Sequence, residues 1–232
     1  MNKSEIAALD QNDPLRSHRD KFELPEDIIY LDGNSLGALP KGVADRLSDV
    51  VTQEWGKSLI KSWNVHDWYP QPGRVGDKIA KLIGAEQGSV VSADSTSVNL
   101  YKLLTAAVRL NEDLNPGRRV ILSDTGNFPN DLYVIQGLVD LLGDDYEMRL
   151  VAPEEIAHAL TEDVAAAVIT QVDYRTGRRH DMADLTARAK DRGIKVIWDL
   201  CHSAGAFPVD LAGSGAEFAV GCSYKYLNGG PG

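Results

Sequence analysis

The sequence has few cysteines, fewer basic than acidic residues, and no long apolar run. Its only cysteines, Cys201 and Cys222, give no framework of disulfides, which favours a reducing compartment such as the cytoplasm. The 24 Lys and Arg residues against 34 Asp and Glu leave a formal net charge of −10, which argues against nucleic acid or a membrane surface as a partner. No stretch approaches the roughly 20 apolar residues of a membrane span. The polar start Met1-Asn-Lys-Ser-Glu-Ile has no signal-peptide core.

What the chain does contain is a regular alternation of apolar runs and helical patterns. A chain of 232 residues with 43% hydrophobic and 25% charged residues suits one large α/β domain. Helical patterns separate the apolar runs expected to be strands, which cover 28–31, 89–92, 119–123, 147–151, 165–172 and 196–199. The 165–172 run is apolar almost throughout, as is typical of a strand covered on both faces. We therefore predict a doubly wound, mainly parallel sheet with helices on both faces.

The strongest chemical signal lies in the last third of the chain, at Asp199 and Lys225. Asp199 ends the run Val-Ile-Trp-Asp, so a buried strand would deliver its carboxylate at the C-terminal edge of the sheet. Lys225 lies between two tyrosines after small and apolar residues, a setting expected to desolvate its amine and make it nucleophilic. Pyridoxal phosphate (PLP) chemistry needs such a pair, because the lysine attaches the cofactor and the carboxylate keeps its ring nitrogen protonated. A surface lysine and a loop-capping aspartate are the alternative.

A second signal is the group of hydroxyl side chains in Asp94-Ser-Thr-Ser97, just before a helical pattern. Hydroxyls and free backbone N–H groups at a helix N-terminus can bind an anion such as a phosphate. Ordinary N-capping by Ser and Thr explains the same residues, so this group supports a cofactor site only together with Lys225.

Five segments, in this order along the chain, resemble the kynureninase family of fold-type I PLP enzymes. They are Leu31-Asp-Gly-Asn-Ser-Leu-Gly37, Ser97-Val-Asn-Leu100, Phe128-Pro-Asn-Asp131, Asp199-Leu-Cys-His202 and Ser223-Tyr-Lys-Tyr-Leu-Asn-Gly-Gly230. The resemblance runs over nearly the whole chain. It implies hydrolysis of L-kynurenine, with 3-hydroxykynurenine as an alternative substrate, to anthranilate and L-alanine in tryptophan degradation. It also implies a homodimer.

The resemblance implies a role for each of several residues. Lys225 would attach the cofactor and move the substrate's α-proton, Asp199 would pair with the ring nitrogen, and Tyr224 would contact the phosphate and move protons. The remaining residues expected to bind the cofactor are Thr96, Ser97, Phe128, Asn130, Asp131, Thr170 and His202. Of these, Thr96 and Ser97 are expected at the phosphate and Phe128 against the ring. Asn130 differs from the Ser of some relatives.

The resemblance also implies a division of the chain. Residues 1–40 would form an N-terminal arm and a loop at the mouth of the active site, and 41–232 the PLP-binding large domain. The sequence reaches Gly232 just after the lysine, whereas the family continues into further strands and a small C-terminal domain. We therefore expect an N-terminal portion of the enzyme, with the arginine for the substrate carboxylate and the contacts between subunits supplied from outside it.

Three other kinds of site compete with this interpretation. Gly33-Asn-Ser-Leu-Gly37 matches the G-x-S-x-G turn of serine hydrolases, but Ala38-Leu-Pro40 intervene before any helix. Cys201 and His202 are sequence neighbours whose side chains usually point apart, which disfavours a cysteine nucleophile with its base. A metal site at Asp199 and His202 lacks a third ligand, so we predict no metal.

Other activities on the same fold are also open. A cysteine desulfurase-like lyase or an aminotransferase would share the aspartate and the lysine, but not the Asn-Ser-Leu-Gly and Tyr-Lys-Tyr-Leu-Asn segments together. An inactive PLP-fold protein that binds a partner is the alternative outside catalysis, and the intact Lys225 argues against it.

Overall fold

The computed structural model describes residues 1–231, and its centre is a five-stranded parallel sheet. Two short strands, β1 (Phe22–Glu23) and β2 (Leu39–Pro40), pair antiparallel with each other outside this sheet. The strands of the large sheet are β3 (Val120–Asp124), β4 (Glu147–Val151), β5 (Val164–Thr170), β6 (Lys195–Asp199) and β7 (Phe218–Val220). Their spatial order is β4-β3-β5-β6-β7, so the chain winds outward in opposite directions from the neighbours β3 and β5. Ligands bind sheets of this kind at such a switch point, beyond the C-terminal strand ends.

Helices precede the first strand and lie between later ones. They are α1 (Lys3–Asn12), α2 (Val43–Asp49), α3 (Ser62–Val65), α4 (Gln71–Ile83), α5 (Thr96–Leu114), α6 (Pro129–Leu142), α7 (Ile156–Ala159), α8 (Met182–Asp191) and α9 (Leu211–Ser214). A π-helical stretch, Val50–Ser58, continues α2. Short 3-10 turns cover Arg16–Lys21, Leu59–Lys61 and Pro153–Glu155. Within residues 1–231, no helix combines the length and the apolar character needed to cross a membrane.

Local sequence explains where the helices begin and end. The Ser95 side chain accepts a hydrogen bond from the backbone N–H of Val98 and so caps α5, and Asp181 caps α8 in the same way. Helix α4 ends at Gly84, whose φ of +62° lies in the left-handed region that glycine adopts without strain.

Helices cover both faces of the sheet, because successive strand residues point to opposite faces. On one face, helices α5 and α6 pack Leu104 and Ile135 against Ile197 of β6. On the other face, α8 packs Leu185 against Trp198, which follows Ile197 in the same strand. This arrangement confirms the predicted doubly wound parallel sheet.

Four predicted strands are confirmed and two are wrong. The runs at 119–123, 147–151, 165–172 and 196–199 correspond to β3, β4, β5 and β6. Residues 28–31 are irregular, with Ile29 and Leu31 87% and 88% exposed. Residues 89–92 are also irregular, and they pack against α4 instead of a neighbouring strand. The contact is close, since a Cβ on Gly76 of α4 would lie 1.9 Å from the Val90 carbonyl oxygen. An apolar run of four residues forms a strand only where a neighbouring strand is available to pair with it.

Candidate active site

The ends of four sheet strands and the start of one helix bring the predicted site residues to one edge of the sheet. Thr170 and Asp199 are the last residues of β5 and β6 and lie opposite each other in the ladder. Phe128 follows β3 and precedes α6, and Thr96 is the first residue of α5. Lys225 follows β7, the strand next to β6. Since parallel strands end on the same side, these residues converge at the switch point of the sheet.

Asp199 is held in one orientation by two hydrogen bonds. It is 2% exposed, its Oδ1 accepts from the Cys201 backbone N–H at 2.8 Å, and its Oδ2 accepts from the Thr170 hydroxyl at 3.1 Å. The Thr170 hydroxyl also contacts the Asn127 side-chain oxygen, and Asn127 Nδ2 donates to Ser123 Oγ at 2.9 Å. This chain of contacts fixes a buried carboxylate at the strand end.

A second carboxylate, Asp131, lies in the first turn of α6 beside Asp199. It is 2% exposed, and its Oδ2 has no hydrogen-bond partner among residues 1–231. Burial, and then the negative charge of Asp199, raise the pKa of Asp131 to about 8, while the positive charge of Lys225 acts in the opposite direction. The site thus holds two neighbouring acidic groups. Ionising both has a high free-energy cost unless a cation or an N–H donor lies between them.

Lys225 is the buried cation of the site, with 6% of its surface exposed. Its Nζ lies 2.7 Å from His202 Nε2, 5.5 Å from the centre of the Phe128 ring and 5.7 Å from that of Tyr224. Burial, and then the charge of Lys225, lower the pKa of His202, while Asp199 opposes the shift. A neutral imidazole can accept a hydrogen bond from the lysine, so His202 orients the amine.

The first turn of α5 supplies donors at the same edge. The Thr96 hydroxyl donates to the Gly221 carbonyl oxygen at 2.9 Å and lies 3.7 Å from Cys201 Sγ. The Ser97 hydroxyl accepts from Asn130 Nδ2 at 2.5 Å, which ties the start of α5 to the start of α6. Hydroxyls and unpaired backbone N–H groups at the start of a long helix favour an anion.

Tyr224 lies beside the lysine at the surface of the site, 36% exposed. Burial of the phenol, together with the nearby Cys222, raises the pKa of Tyr224 to about 12. The hydroxyl therefore keeps its proton at neutral pH and is a hydrogen-bond donor. All the residues predicted for the site lie at this edge, and the individual roles assigned to them stay predictions.

Sequence reasoning missed one aromatic residue of the site, Tyr174. Its ring meets the Phe128 ring edge-on at 5.2 Å between centroids and stacks on His202 at 6.2 Å with an interplanar angle of 27°. Tyr174 lies in the turn that follows β5, on the same side of the sheet as Thr170. Its place just after a buried strand was the only signal for it in the sequence.

Replacing Tyr174 by alanine should lower the free energy of unfolding by about 1–3 kcal/mol, because two aromatic contacts of about 0.5–1.5 kcal/mol each are lost. Denaturant titration measures the change. Tyr174→Phe keeps both ring contacts and should match the wild type, so an equal loss in both variants would contradict the stacking argument.

The loop from Gly33 to Gly37 lies against the lysine segment, and its predicted role at the mouth of the site stays a prediction. The Gly37 N–H donates to the Tyr224 carbonyl oxygen at 2.7 Å, and Asn228 Nδ2 donates to the Ala38 carbonyl oxygen at 3.0 Å. The Ser35 hydroxyl donates to Asp32 Oδ1 at 2.8 Å and precedes no helix, so this loop is not the turn of a serine hydrolase.

Gly37→Ala should destabilise the protein by about 1–3 kcal/mol, the usual range for inserting a methyl group into packed space. A Cβ at Gly37 would lie 2.2 Å from the Lys225 carbonyl oxygen, so the loop and the lysine segment must separate. The matched control is Gly73→Ala in α4, where a Cβ would meet no atom within 4 Å. Thermal unfolding of both variants tests the contact, and equal midpoints would contradict it.

Comparison with known sequences finds a family match over most of the chain. The profile of the family "Aminotransferase class-V" matches residues 29–232. Kynureninases of Deinococcus radiodurans and Pseudomonas fluorescens share 56% and 51% sequence identity with this chain, over 99% of its length. The chain spans 56% of the length of each of these two relatives.

Solved structures with low sequence identity share the fold. A C-DES mutant with glycine covalently linked to its PLP cofactor superposes with a TM-score of 0.75 at 15% identity, over 91% of this chain and 56% of the other. The cysteine desulfurase CsdA of Escherichia coli gives 0.71 at 18% identity, over 90% and 54%. At this identity the likeness shows the fold alone.

Proposed function

Because the chain belongs to the aminotransferase class-V family, we propose that it binds PLP and carries the cofactor site of a kynureninase, which hydrolyses L-kynurenine to anthranilate and L-alanine. Identity of 51–56% to kynureninases over 99% of the chain supports this activity. The structural observation that carries the proposal is the buried cluster of Lys225, Asp199, Asp131 and His202 at the switch point of the sheet.

The donors and acceptors of this cluster fit PLP. Asp131 Oδ2 is buried without a partner, and it lies with Asp199 where a protonated ring nitrogen would relieve the repulsion between the two carboxylates. Ser97, whose hydroxyl accepts from Asn130, and the backbone N–H groups of the first turn of α5 offer donors to a phosphate. The Thr96 hydroxyl would join them by turning away from the Gly221 carbonyl oxygen. Phe128 offers an aromatic face, and Lys225 an amine that can attach an aldehyde.

When bound, PLP supplies a ring that withdraws electrons from the substrate's α-carbon. The residues of the chain hold and move protons around it. Lys225 Nζ would hold the cofactor through its aldehyde and would also be the base for the substrate's α-proton, and neutral His202 keeps that amine in place through Nε2. Asp199, fixed by Thr170 and the Cys201 N–H, would pair with the ring nitrogen of the cofactor.

Tyr224 and the Gly33–Gly37 loop complete the proposed site. The Tyr224 phenol keeps its proton at neutral pH because its pKa is raised to about 12, so it can donate to the cofactor phosphate or to a developing oxyanion of the substrate. The loop lies against the lysine segment and limits the access of water to it.

The setting of the activity belongs to the same proposal. We assign the protein to tryptophan degradation in the cytoplasm, with L-kynurenine as substrate and 3-hydroxykynurenine as the alternative. Residues 1–40 are assigned to an arm and mouth loop and 41–232 to the PLP-binding large domain. Helix α1 has no buried residue, which supports an arm that packs on a second copy in a homodimer. The net charge of −10 supports neither nucleic acid nor membrane as a partner.

The direct test adds PLP to the protein and compares its cleavage of two substrates, L-kynurenine and L-cysteine. Anthranilate fluorescence reports cleavage of L-kynurenine, and sulfide release reports cleavage of L-cysteine. We expect anthranilate and alanine in equal amounts and no sulfide. Sulfide without anthranilate would replace the proposed function with a desulfurase activity, and failure of PLP to bind would overturn both.

A further inference from the structure

The two cysteines lie opposite each other beside the site, although 21 residues separate them in the sequence. The pairing of β6 with β7 ends at Asp199 and Val220, and Cys201 and Cys222 each follow two residues later in the segments after these strands. The Leu200 N–H donates to the Val220 carbonyl oxygen at 2.8 Å, so the pairing continues beyond the end of β6. Cys222 Sγ lies 4.0 Å from the Cys201 carbonyl oxygen. Neighbouring strands lie about 4.8 Å apart, which is within the range of Cα spacings that a disulfide needs.

The two thiols have different surroundings. Cys201 is 7% exposed, whereas Cys222 is partly exposed to solvent. Contact with the Cys201 thiol lowers the pKa of Cys222 to about 7, and the positive charge of Lys225 acts the same way, against the effect of burial. Contact with Cys222, and then burial, raise the pKa of Cys201. Cys222 is therefore the accessible nucleophile and Cys201 its protonated neighbour.

We propose that Cys201 and Cys222 are a peroxide-sensitive dithiol, which closes reversibly to a disulfide beside the cofactor site. The Cys222 thiolate attacks one oxygen of hydrogen peroxide, the O–O bond breaks, and the released hydroxide takes a proton to become water. The Cys201 sulfur then attacks the Cys222 sulfenic acid, the S–O bond breaks, and a second water leaves with the Cys201 proton. Two thiols lose two electrons and two protons, and one peroxide is reduced to two waters.

Closing the disulfide acts on the groups that position the cofactor, a consequence that rests on the proposed function. The sulfurs must approach to about 2 Å. The Cys201 N–H holds Asp199 Oδ1 at 2.8 Å, and Thr96 bridges Cys201 Sγ and the Gly221 carbonyl oxygen. Moving both cysteine segments displaces Asp199 and Thr96 together, so the oxidised protein binds PLP severalfold more weakly.

The first experiment treats the full chain with hydrogen peroxide without added PLP and measures free thiols and intact mass. We expect both thiols to disappear, the monomer to lose the mass of two hydrogen atoms, and dithiothreitol to restore both. Cys201→Ser should stop at the sulfenic acid on Cys222, which dimedone labels, and Cys222→Ser should keep its Cys201 thiol. Persistence of both thiols in the wild type, or disulfides between molecules only, would overturn the proposal.

The second experiment titrates PLP into reduced and oxidised protein. The wild type should lose affinity on oxidation and regain it with dithiothreitol, whereas peroxide-treated Cys222→Ser should not change. Equal affinities of the reduced and oxidised wild type would overturn the link to the cofactor. Absence of binding to the reduced protein would instead refute the proposed function, and the mass measurement would still decide the fate of the dithiol.

Discussion

Replacing Lys225 by alanine should reduce anthranilate release from L-kynurenine below detection and remove the visible absorption band of lysine-bound PLP. Under the proposed function, the variant loses the amine that would attach the cofactor and the base that would take the α-proton. Proton transfer by a positioned base alone is worth about 10²–10⁴-fold in rate, and the lost attachment adds to this effect. Absorption spectra and anthranilate fluorescence measure the two losses separately.

The control for this variant has to separate chemistry from folding. Lys225 is buried near Asp131 and Asp199, so its removal also takes a positive charge from two acidic groups. Lys225→Gln keeps most of the side-chain volume and should be equally inactive, with a circular dichroism spectrum like that of the wild type. Lys190→Ala changes an exposed lysine of α8 and should keep full activity. Turnover by either Lys225 variant, or an unchanged absorption band, would contradict the assignment.

The sheet and its functional edge could be predicted from sequence because both depend on local patterns. A run of apolar residues such as 165–172 has no stable place outside a covered sheet, and the polar residue that ends a buried strand must lie at its edge. Asp199 was predicted on this ground, whereas Thr170 was predicted from the family resemblance, and the two residues lie opposite each other. Strand β7 has only three residues and follows a Gly-rich turn, so its pattern is too short to distinguish from a loop.

The contacts inside the site could not be predicted, because they join segments that are distant in sequence. The 2.7 Å contact of Lys225 with His202 depends on how the loop after β6 folds back toward the segment after β7. The stacking of Tyr174 and the unpaired Oδ2 of Asp131 depend on the packing of a turn and a helix around the strand ends. Resemblance to a family supplied the names of residues but no distances between them.

Asp131→Asn should stabilise the cofactor-free protein at neutral pH, although it alters a residue proposed to bind PLP. In the folded chain, burial and the charge of Asp199 raise the pKa of Asp131 from 3.8 to about 8. Folding therefore forces this carboxyl group to hold a proton that the unfolded chain would release. Asparagine has nearly the same shape and no charge, so it removes that cost.

The pH window of this effect follows from the two pKa values. Below pH 4 the carboxyl group is protonated in both the folded and the unfolded chain, and it costs nothing. Between about pH 4 and 8 only the unfolded chain ionises, and each pH unit lowers the stability of the wild type by up to ~1.4 kcal/mol. Above about pH 8 both forms are ionised and the difference stays constant. The advantage of Asp131→Asn should thus grow from near zero at pH 4 to several kcal/mol at pH 8.

Urea unfolding of the cofactor-free protein across this pH range measures the effect, and Asp140→Asn on the exposed side of the same helix is the control. The control should show no such growth with pH. Adding PLP should reverse the order, because the wild type gains the full binding energy of the cofactor while the variant offers it only a neutral amide. A stability difference between Asp131→Asn and the wild type that is constant with pH would show that Asp131 is not the protonated member of the pair.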